Sequence, residues 1–372
     1  MVTTKSKSSP SFTEFVLIVS LLMALTALSI DAMLPALSQI GADLQVQNPN
    51  ERQLVVSMIF LGLSVGQLFF GPLSDTTGRK PAIFGGLSLF MVGAVICMLA
   101  PNFTLMLIGR LLQGIGASAP RAVTLALVRD KHSGREMAQV MSFVMTVFIL
   151  VPMLAPSMGQ AILQFAGWRA IFGSFLLLSA VALTWFMLRQ PETLLPDKRA
   201  PFTLQRIAGA MLAILKNRLA LGYTIAAGLI SGAFIGYINS AQQVFQELYA
   251  VGTLFPILFG VVASAIGLAS LLNSRLVVQF GMRFLVRNAL IAITALALIA
   301  LGSFLFLDQS LPIWGFMTYL MLSFFCVGIL FGNLNSLAME PLGHLAGIGA
   351  AVVGALSTLF SFVLGTLIGQ SY

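Results

Sequence analysis

Three charged residues, Asp75, Arg79 and Lys80, lie in a stretch that separates two long apolar runs. The stretch reads FFGPLSDTTGRKPA and contains Gly71 and Gly78. Gly78 permits a tight turn and Gly71 permits close helix packing. Asp75 can accept hydrogen bonds from Arg79 or cap a nearby helix N-terminus, so the group can act as a latch that holds one conformation. The alternative, that the two bases only anchor the topology, leaves Asp75 and both glycines unexplained.

Asp31 and Arg110 are charged residues inside otherwise apolar runs. A lone carboxylate there is costly unless it faces a cavity, is paired or is protonated. Asp31 is the only acid well inside a run, and arginine does not titrate in the working range, so Asp31 is the candidate proton carrier. Distance along each run places Asp31 and Arg110 at similar depths. A static buried ion pair that only fixes packing is the alternative.

The run that holds Arg110 carries polar and small residues at helical spacing. They recur three and four residues apart and therefore share one helix face, which belongs inside a bundle. Its members are Arg110, Gln113, Gly114, Ala117, Ser118 and Arg121.

Two further runs contain candidate site residues. Pro156 can bend a helix and Gly159 allows a neighbour to approach closely, although ordinary packing explains both residues equally well. A later run ends with four polar groups that can line a substrate cavity or form a solvated mouth. These four are Tyr237, Asn239, Gln242 and Gln243.

The composition predicts that these candidate residues belong to a membrane protein. Of 372 residues, 58% are hydrophobic and 9% are charged, against about 25% charged in ordinary soluble domains. Two cysteines and two histidines, all far apart in sequence, predict no metal site, no disulfide framework and no Ser/His/Asp enzyme. We expect no cofactor and no ATPase activity, because the sequence has no phosphate-binding loop of the G-x-x-x-x-G-K-[ST] type.

Eleven apolar segments are long enough to cross a bilayer. All are predicted to be helices, because lipid offers no partner for unpaired backbone groups. The spans lie near residues 13–36, 53–72, 82–100, 104–128, 137–163, 170–190, 219–245, 254–274, 285–306, 312–335 and 344–369.

The distribution of basic residues predicts the orientation. With a cytoplasmic N-terminus, sixteen of the 20 bases lie in cytoplasmic segments, and only Arg52 and Arg169 lie outside. The net charge of +8 is therefore a topology signal and requires no nucleic-acid partner.

A basic, proline-containing connection at residues 191–218 divides the chain. We predict an N-terminal bundle of six helices over residues 1–190 and a C-terminal bundle over residues 219–372, five helices of which are visible. A weak repeat supports two related halves, since LSDTTGRK after the second span aligns with LVVQFGMR after the eighth. Repeated halves with a site between them are typical of transporters.

The sequence resembles the major facilitator superfamily, and within it the bicyclomycin-resistance (Bcr/CflA) group of drug:proton antiporters. GPLSDTTGRK matches the motif that follows the second helix of the superfamily. LSIDAMLPAL, RLLQGIGASAPRA, LAPSMGQAILQFAGWRAIF, PETL and LAMEPLGHLAG look like the drug-antiporter group. The resemblance implies two six-helix bundles and proton-driven export of small molecules by alternating access, by a monomer in the bacterial inner membrane.

The resemblance also implies roles for single residues. Arg110 and Gln113 occupy the positions tied to proton coupling on the fourth helix, and Asp31 occupies the acidic site of the first. The fifth-helix motif keeps Pro156 and Gly159 but departs from two expected glycines. A Ser-Pro-Phe-like run is replaced by residues 241–243, which changes the expected substrate preference.

The family has twelve spans, whereas eleven are read here, so we expect the last helix to be missing. Two alternatives to drug efflux therefore stay open. One is a proton-coupled transporter of a specific metabolite on the same scaffold. The other is a truncated, non-transporting remnant.

Overall fold

A computed structural model describes residues 10–307 and 311–372 of the chain. Residues 1–9, which include the predicted cytoplasmic bases Lys5 and Lys7, lie outside the described residues. Within the described part the chain is helical, as the composition predicts, apart from turns and the largely extended residues 190–203. The helices are α1 (Phe12–Asp31), α2 (Leu37–Asp43), α3 (Leu54–Thr77), α4 (Arg79–Leu99), α5 (Phe103–Lys131), α6 (Gly134–Arg189), α7 (Leu204–Lys216), α8 (Arg218–Gln243), α9 (Phe255–Phe280), α10 (Met282–Leu307), α11 (Ile313–Met339) and α12 (Ala346–Gln370).

Ten helical segments of the described chain are long and apolar enough to cross a membrane. The longest, α6, contains 56 residues, more than twice the roughly 20 that one crossing needs. Gly167 interrupts it with φ 72° and ψ 174°, values that glycine adopts without strain. The predicted fifth and sixth spans lie on the two sides of this kink, so all eleven predicted spans have a counterpart.

Contacts between residues at the helix ends and in the loops define two opposite ends of the molecule. At one end the Trp168 indole donates to Asp43 over 2.7 Å, and Tyr249 donates to the Leu311 carbonyl. At the other end Arg189 forms an ion pair with Glu14 over 2.6 Å. These two groups correspond to the loops that the sequence predicts on the outer and cytoplasmic sides, and we call them the predicted outer and cytoplasmic ends.

The two halves repeat one packing pattern. Helix α5 packs against α3 and α4, and α11 packs against α9 and α10 in the same way. The aligned glycines share one backbone conformation, because Gly78 has φ 109° and ψ 162° and Gly281 has φ 77° and ψ 155°. The sequence repeat therefore has a geometric counterpart.

Helix α5 is held close to its neighbours by glycines. A Cβ on Gly62 of α3 would lie 2.8 Å from the Gly114 Cα, and a Cβ on Gly116 would lie 2.8 Å from the Phe90 Cα of α4. Both distances are shorter than ordinary van der Waals contact. The close approach of the backbones places the polar face of α5 deep inside the first half.

The largest apolar core that the halves share lies toward the predicted outer end. There one cluster contains Met33 and Ile59 from the first half and Ile238 and Phe259 from the second. Toward the cytoplasmic end, one cluster is built only from residues 15–187 and another only from residues 223–337. Helices α3 and α12 remain in contact between the halves.

The connection between the halves contains a helix that the sequence analysis did not predict. The spacing of Ile207, Ala210 and Ile214 gives α7 one apolar face, which is buried against Ile348 and Val352 of α12. Residues 191–203 before it follow the surface of the predicted cytoplasmic end, where the Ala200 amide donates to the Asp75 carbonyl.

Candidate functional site

Asp31 lies at a break in the first long helix. Helix α1 ends at this residue, and the chain continues through a turn and a 3-10 helix, Leu34–Ala36, before α2 begins. Pro35 explains the break, because its ring cannot donate the hydrogen bond that an α-helix requires at this position. The Asp31 side chain is buried, and it forms no hydrogen bond or ion pair within the described chain.

Arg110 is fully buried and holds the end of α1 in place. Its guanidinium donates to the Ser29 carbonyl of α1 over 3.0 Å and to the Val55 carbonyl of α3 over 2.8 Å. A third bond, over 3.0 Å, reaches the Gln113 side-chain oxygen. Arg110 therefore lies at the depth of Asp31, as expected, but it binds backbone carbonyls and does not form the ion pair that the sequence left open.

Gly159 of α6 packs against the same break. A Cβ at this position would overlap the Ala32 carbonyl oxygen, so only glycine allows the two backbones to touch. Pro156 lies one turn earlier and is also buried. The candidate motif of the fifth span and the candidate acid of the first are thus parts of one site.

Tyr237 enters the site from the second half. Its ring stacks on Phe259 with centroids 5.8 Å apart and meets Phe324 edge-on at 4.8 Å. The hydroxyl is buried without a hydrogen-bond partner in the described chain and interacts electrostatically with Asp31. The Gln113 side-chain nitrogen is also unpartnered. Buried polar atoms in folded proteins are nearly always paired, so this cluster is suited to a ligand or water.

The other predicted cavity residues join the two halves at the predicted outer end. Asn239 donates to Ser57 over 2.9 Å, and Gln242 donates to Ser38 over 2.7 Å. Gln243 donates to the Asn50 side chain over 2.9 Å and accepts from Gln53. We call these contacts, together with the ion pair Arg52–Glu247, the polar bridge.

The three amides are site residues that the sequence predicts, whereas Arg52 and Glu247 were not predicted. The Arg52 side chain is only 11% exposed, although it lies at a helix end. A signal was present, because Arg52 is one of only two bases in the predicted outer segments. Its partner is 195 residues away in sequence and could not be read from spacing.

The predicted latch residues lie together at the cytoplasmic end. Arg79 binds Asp75 over 2.5 Å and Asp130 of α5 over 2.9 Å. A Cβ on Gly71 would lie 3.1 Å from the Ala351 side chain, and one on Gly347 would lie 3.9 Å from the Asp75 carboxylate. Asp75 therefore contacts Arg79 and also faces the first turn of α12, in the other half.

Glu192 completes this group and was not predicted as a site residue. Gly78 precedes α4 and has no side chain with which to cap it. The Glu192 carboxylate accepts from the Arg79 and Lys80 amides over 2.9 and 3.0 Å and so caps α4 from the connection. Burial by itself would raise the pKa of Glu192, but these bonds and the amides of residues 193 and 194 lower it below its usual value.

The chain is similar to known proteins over most of its length. The Major Facilitator Superfamily profile matches residues 19–366. The uncharacterized MFS-type transporter YdgK of Bacillus subtilis is 33% identical, over 95% of this chain and 87% of its own. The bicyclomycin resistance protein homolog of Haemophilus influenzae is 32% identical, over 96% and 89%. Multidrug resistance protein MdtL of Salmonella heidelberg is 28% identical, over 92% and 84%.

A solved structure supports the fold independently of sequence. The xylose transporter XylE of E. coli, in a partially occluded inward open conformation, superposes with a TM-score of 0.68 at 16% identity, covering 97% of this chain and 91% of XylE. With the profile match and the drug-resistance relatives, this shows that the chain is a multi-pass membrane protein that belongs to the Major Facilitator Superfamily of transporters and resembles its Bcr/CflA-like group.

Proposed function

We propose that this protein exports small amphipathic compounds in exchange for protons, as a monomer in the bacterial inner membrane with its N-terminus in the cytoplasm. The observation that carries the proposal is the buried Asp31 carboxyl, which has no partner in the described chain and interacts with the unpartnered hydroxyl of Tyr237. Arg110 joins the end of the same helix to Gln113, whose side-chain nitrogen is also unpartnered. A carboxyl in such a place can bind and release a proton without breaking an ion pair.

The packing supports alternating access between an N-terminal unit that ends at residue 190 and a C-terminal unit that begins at residue 219. The polar bridge and the shared core close the predicted outer end. Arg121 continues the face of α5 that carries the buried Gln113 and Ser118, yet Arg121 itself is exposed. The exposure of Arg121 supports an interior that opens toward the cytoplasmic end in this conformation.

The names of the relatives suggest the substrate class. One is a bicyclomycin resistance protein homolog and another is a multidrug resistance protein. The aromatic cluster around Tyr237, with few polar groups beside it, suits an amphipathic molecule better than a strongly hydrated one.

The test is transport by purified protein in proteoliposomes with an imposed pH gradient. Bicyclomycin and a panel of amphipathic drugs serve as probes, and a proton ionophore serves as the control. We expect drug flux that follows the gradient and stops when the ionophore is added. Flux of a single metabolite without drug flux would indicate the metabolite transporter, and absence of any flux would overturn the proposal.

Replacing Asp75 with asparagine is expected to slow transport strongly while leaving substrate affinity within a few-fold of wild type. The substitution weakens the contact with Arg79 and removes the charge that faces the start of α12, but it lies far from the Asp31 site. Turnover and affinity are measured separately in proteoliposomes. Asp197→Asn, in the connection, is the control. A large loss of affinity at normal turnover would contradict the assignment of Asp75 to conformational switching.

Reversing one charge of the polar bridge is expected to open the outer end. Arg52→Glu places two carboxylates opposite each other and should raise labelling of an Ala241→Cys reporter, at a buried position outside the polar bridge, by an outside maleimide by about tenfold, the factor that corresponds to 1.4 kcal/mol. Cys97 and Cys326 are buried, so the background is low. The control is the double variant Arg52→Glu/Glu247→Arg, which restores the ion pair and should restore slow labelling. Equal labelling of all three proteins would show that the bridge does not hold this end closed.

A further inference from the structure

A cavity of about 470 Å³ opens at the surface of the predicted cytoplasmic end. It lies between the first turns of α4 and the last turn of α6, under the connection that follows α6. Its volume falls within the range of small-molecule sites, about 300–1,000 Å³. It is separate from the Asp31 site and is lined by Lys80, Pro81, Phe84, Met187, Glu192 and Arg199.

The charges around this cavity favour an anion. The Lys80 ammonium donates to the Met187 carbonyl over 2.7 Å, which holds it at the cavity wall. Arg199 is exposed, and its guanidinium forms no hydrogen bond or ion pair within the described chain. Four backbone amides donate to the Glu192 carboxylate. They partly neutralise its charge, so it repels a bound anion less than a free carboxylate would.

The apolar part of the cavity favours a molecule with a hydrocarbon portion. Phe84 is 48% exposed, and Pro81 is exposed beside it. Leu188, in the last turn of α6, is 59% exposed next to the lining residue Met187. The ends of two membrane-crossing helices meet here, so the cavity lies at the level of the lipid headgroups. Basic pockets between helices at this depth are suited to acidic phospholipids.

We propose that this cavity binds the phosphate of an anionic phospholipid from the adjacent leaflet, with Lys80 and Arg199 as the cationic contacts and Phe84 against the acyl chains. The site goes beyond transport itself and does not require the proposed function to hold. Occupancy would join the start of α4 to the connection that caps it. The lipid should therefore stabilise the folded protein, and increasingly so as its concentration rises above the dissociation constant.

The test uses the purified full chain in detergent, titrated with dioleoylphosphatidylglycerol. We expect saturable binding by native mass spectrometry and a rise in melting temperature. Arg199→Gln should weaken binding and raise the half-saturating lipid concentration by about fivefold, as expected for loss of one basic residue at a lipid surface. Arg199→Lys should restore binding. Arg206→Gln removes a base from the neighbouring α7, outside the cavity, and should bind as wild type does.

Three control ligands separate the possible sources of the effect. Dioleoylphosphatidylcholine tests for a general effect of lipid, and inorganic phosphate and glycerol 3-phosphate test for a free phosphate ligand. An equal temperature rise with phosphatidylcholine, or equal phosphatidylglycerol binding by wild type and Arg199→Gln, would show that the cavity is not a headgroup site. A rise of the same size with inorganic phosphate or glycerol 3-phosphate would assign it to a soluble anion and would also overturn the proposal.

Discussion

Asp31→Asn is expected to abolish proton-driven transport while leaving a folded protein that still binds a neutral substrate. Asparagine keeps the shape of the side chain but cannot exchange a proton. The loss of packing should be small, because Asp31 forms no hydrogen bond or ion pair that the substitution would break within the described chain. Burial disfavours the charged form of any carboxyl, so the proton on such a group depends on its neighbours. A substrate that reaches Tyr237 and Gln113 changes those neighbours and can release the proton.

The decisive measurement is proton release when substrate is added to detergent-purified protein. Wild type should release protons on addition of a transported drug, and Asp31→Asn should not, although it binds the drug. Glu51→Gln is the matched control, because it removes an acid from the predicted outer end and leaves the interior unchanged. Proton release by Asp31→Asn at the wild-type level would show that another residue carries the proton.

Arg110→Gln is expected to reduce transport by about tenfold or more, since a hydrogen bond to a charged group contributes about 1.5–3 kcal/mol. The guanidinium joins the Ser29 carbonyl of α1, the Val55 carbonyl of α3 and the Gln113 side chain. A shorter amide leaves at least two of these buried acceptors without a donor. The end of α1 would then be free to move, and the Asp31 carboxyl with it. Arg110→Lys should not restore transport, because an ammonium group lacks the planar fork that reaches three acceptors.

Arg121→Gln controls for the loss of positive charge on α5. Arg121 shares the helix face of Arg110 but is exposed, so its substitution should leave both folding and the α1 contacts intact. A second readout is the fluorescence of the buried Trp168. Its ring meets Phe172 edge-on at 6.0 Å, and the Arg110 guanidinium lies 5.7 Å from the centre of the Phe172 ring. We expect a spectral shift in Arg110→Gln and none in Arg121→Gln. Wild-type transport by Arg110→Gln would refute the positioning role.

The membrane spans and their ends could be predicted because they depend on local composition. A helix needs about 20 apolar residues to cross a bilayer, and basic residues are concentrated on the cytoplasmic side of the membrane. Both signals can therefore be read from short stretches of sequence. The kink at Gly167 illustrates the limit of such windows. The sequence predicts two spans there, and the structure joins them through one glycine with positive φ. The helix α7 was missed because its 13 residues lie in a connection rich in proline and bases.

The sequence identified candidate site residues more readily than it identified the groups that they contact. Asp31, Arg110 and Gly159 were each selected from residue type and position, and the structure brings all three to one break in α1. The spacing could not show that Arg110 binds carbonyls instead of Asp31, because backbone acceptors are present at every residue and leave no mark in the sequence. Gln242 and Gln243 were likewise read as cavity residues, whereas their amides connect the halves in this conformation.

Three properties of this chain can be predicted from residue types alone: that it crosses a membrane as a set of helices, which helix ends carry charge, and which charged residues within the spans are too costly to be there without a role. These properties follow from the free-energy cost of placing charges and unpaired backbone groups in lipid. That cost applies to each segment independently of the rest of the fold. The partners of these residues depend on how the chain folds. Arg52 meets Glu247, and Glu192 caps α4, because the two halves and the connection fold back on each other across more than 100 residues.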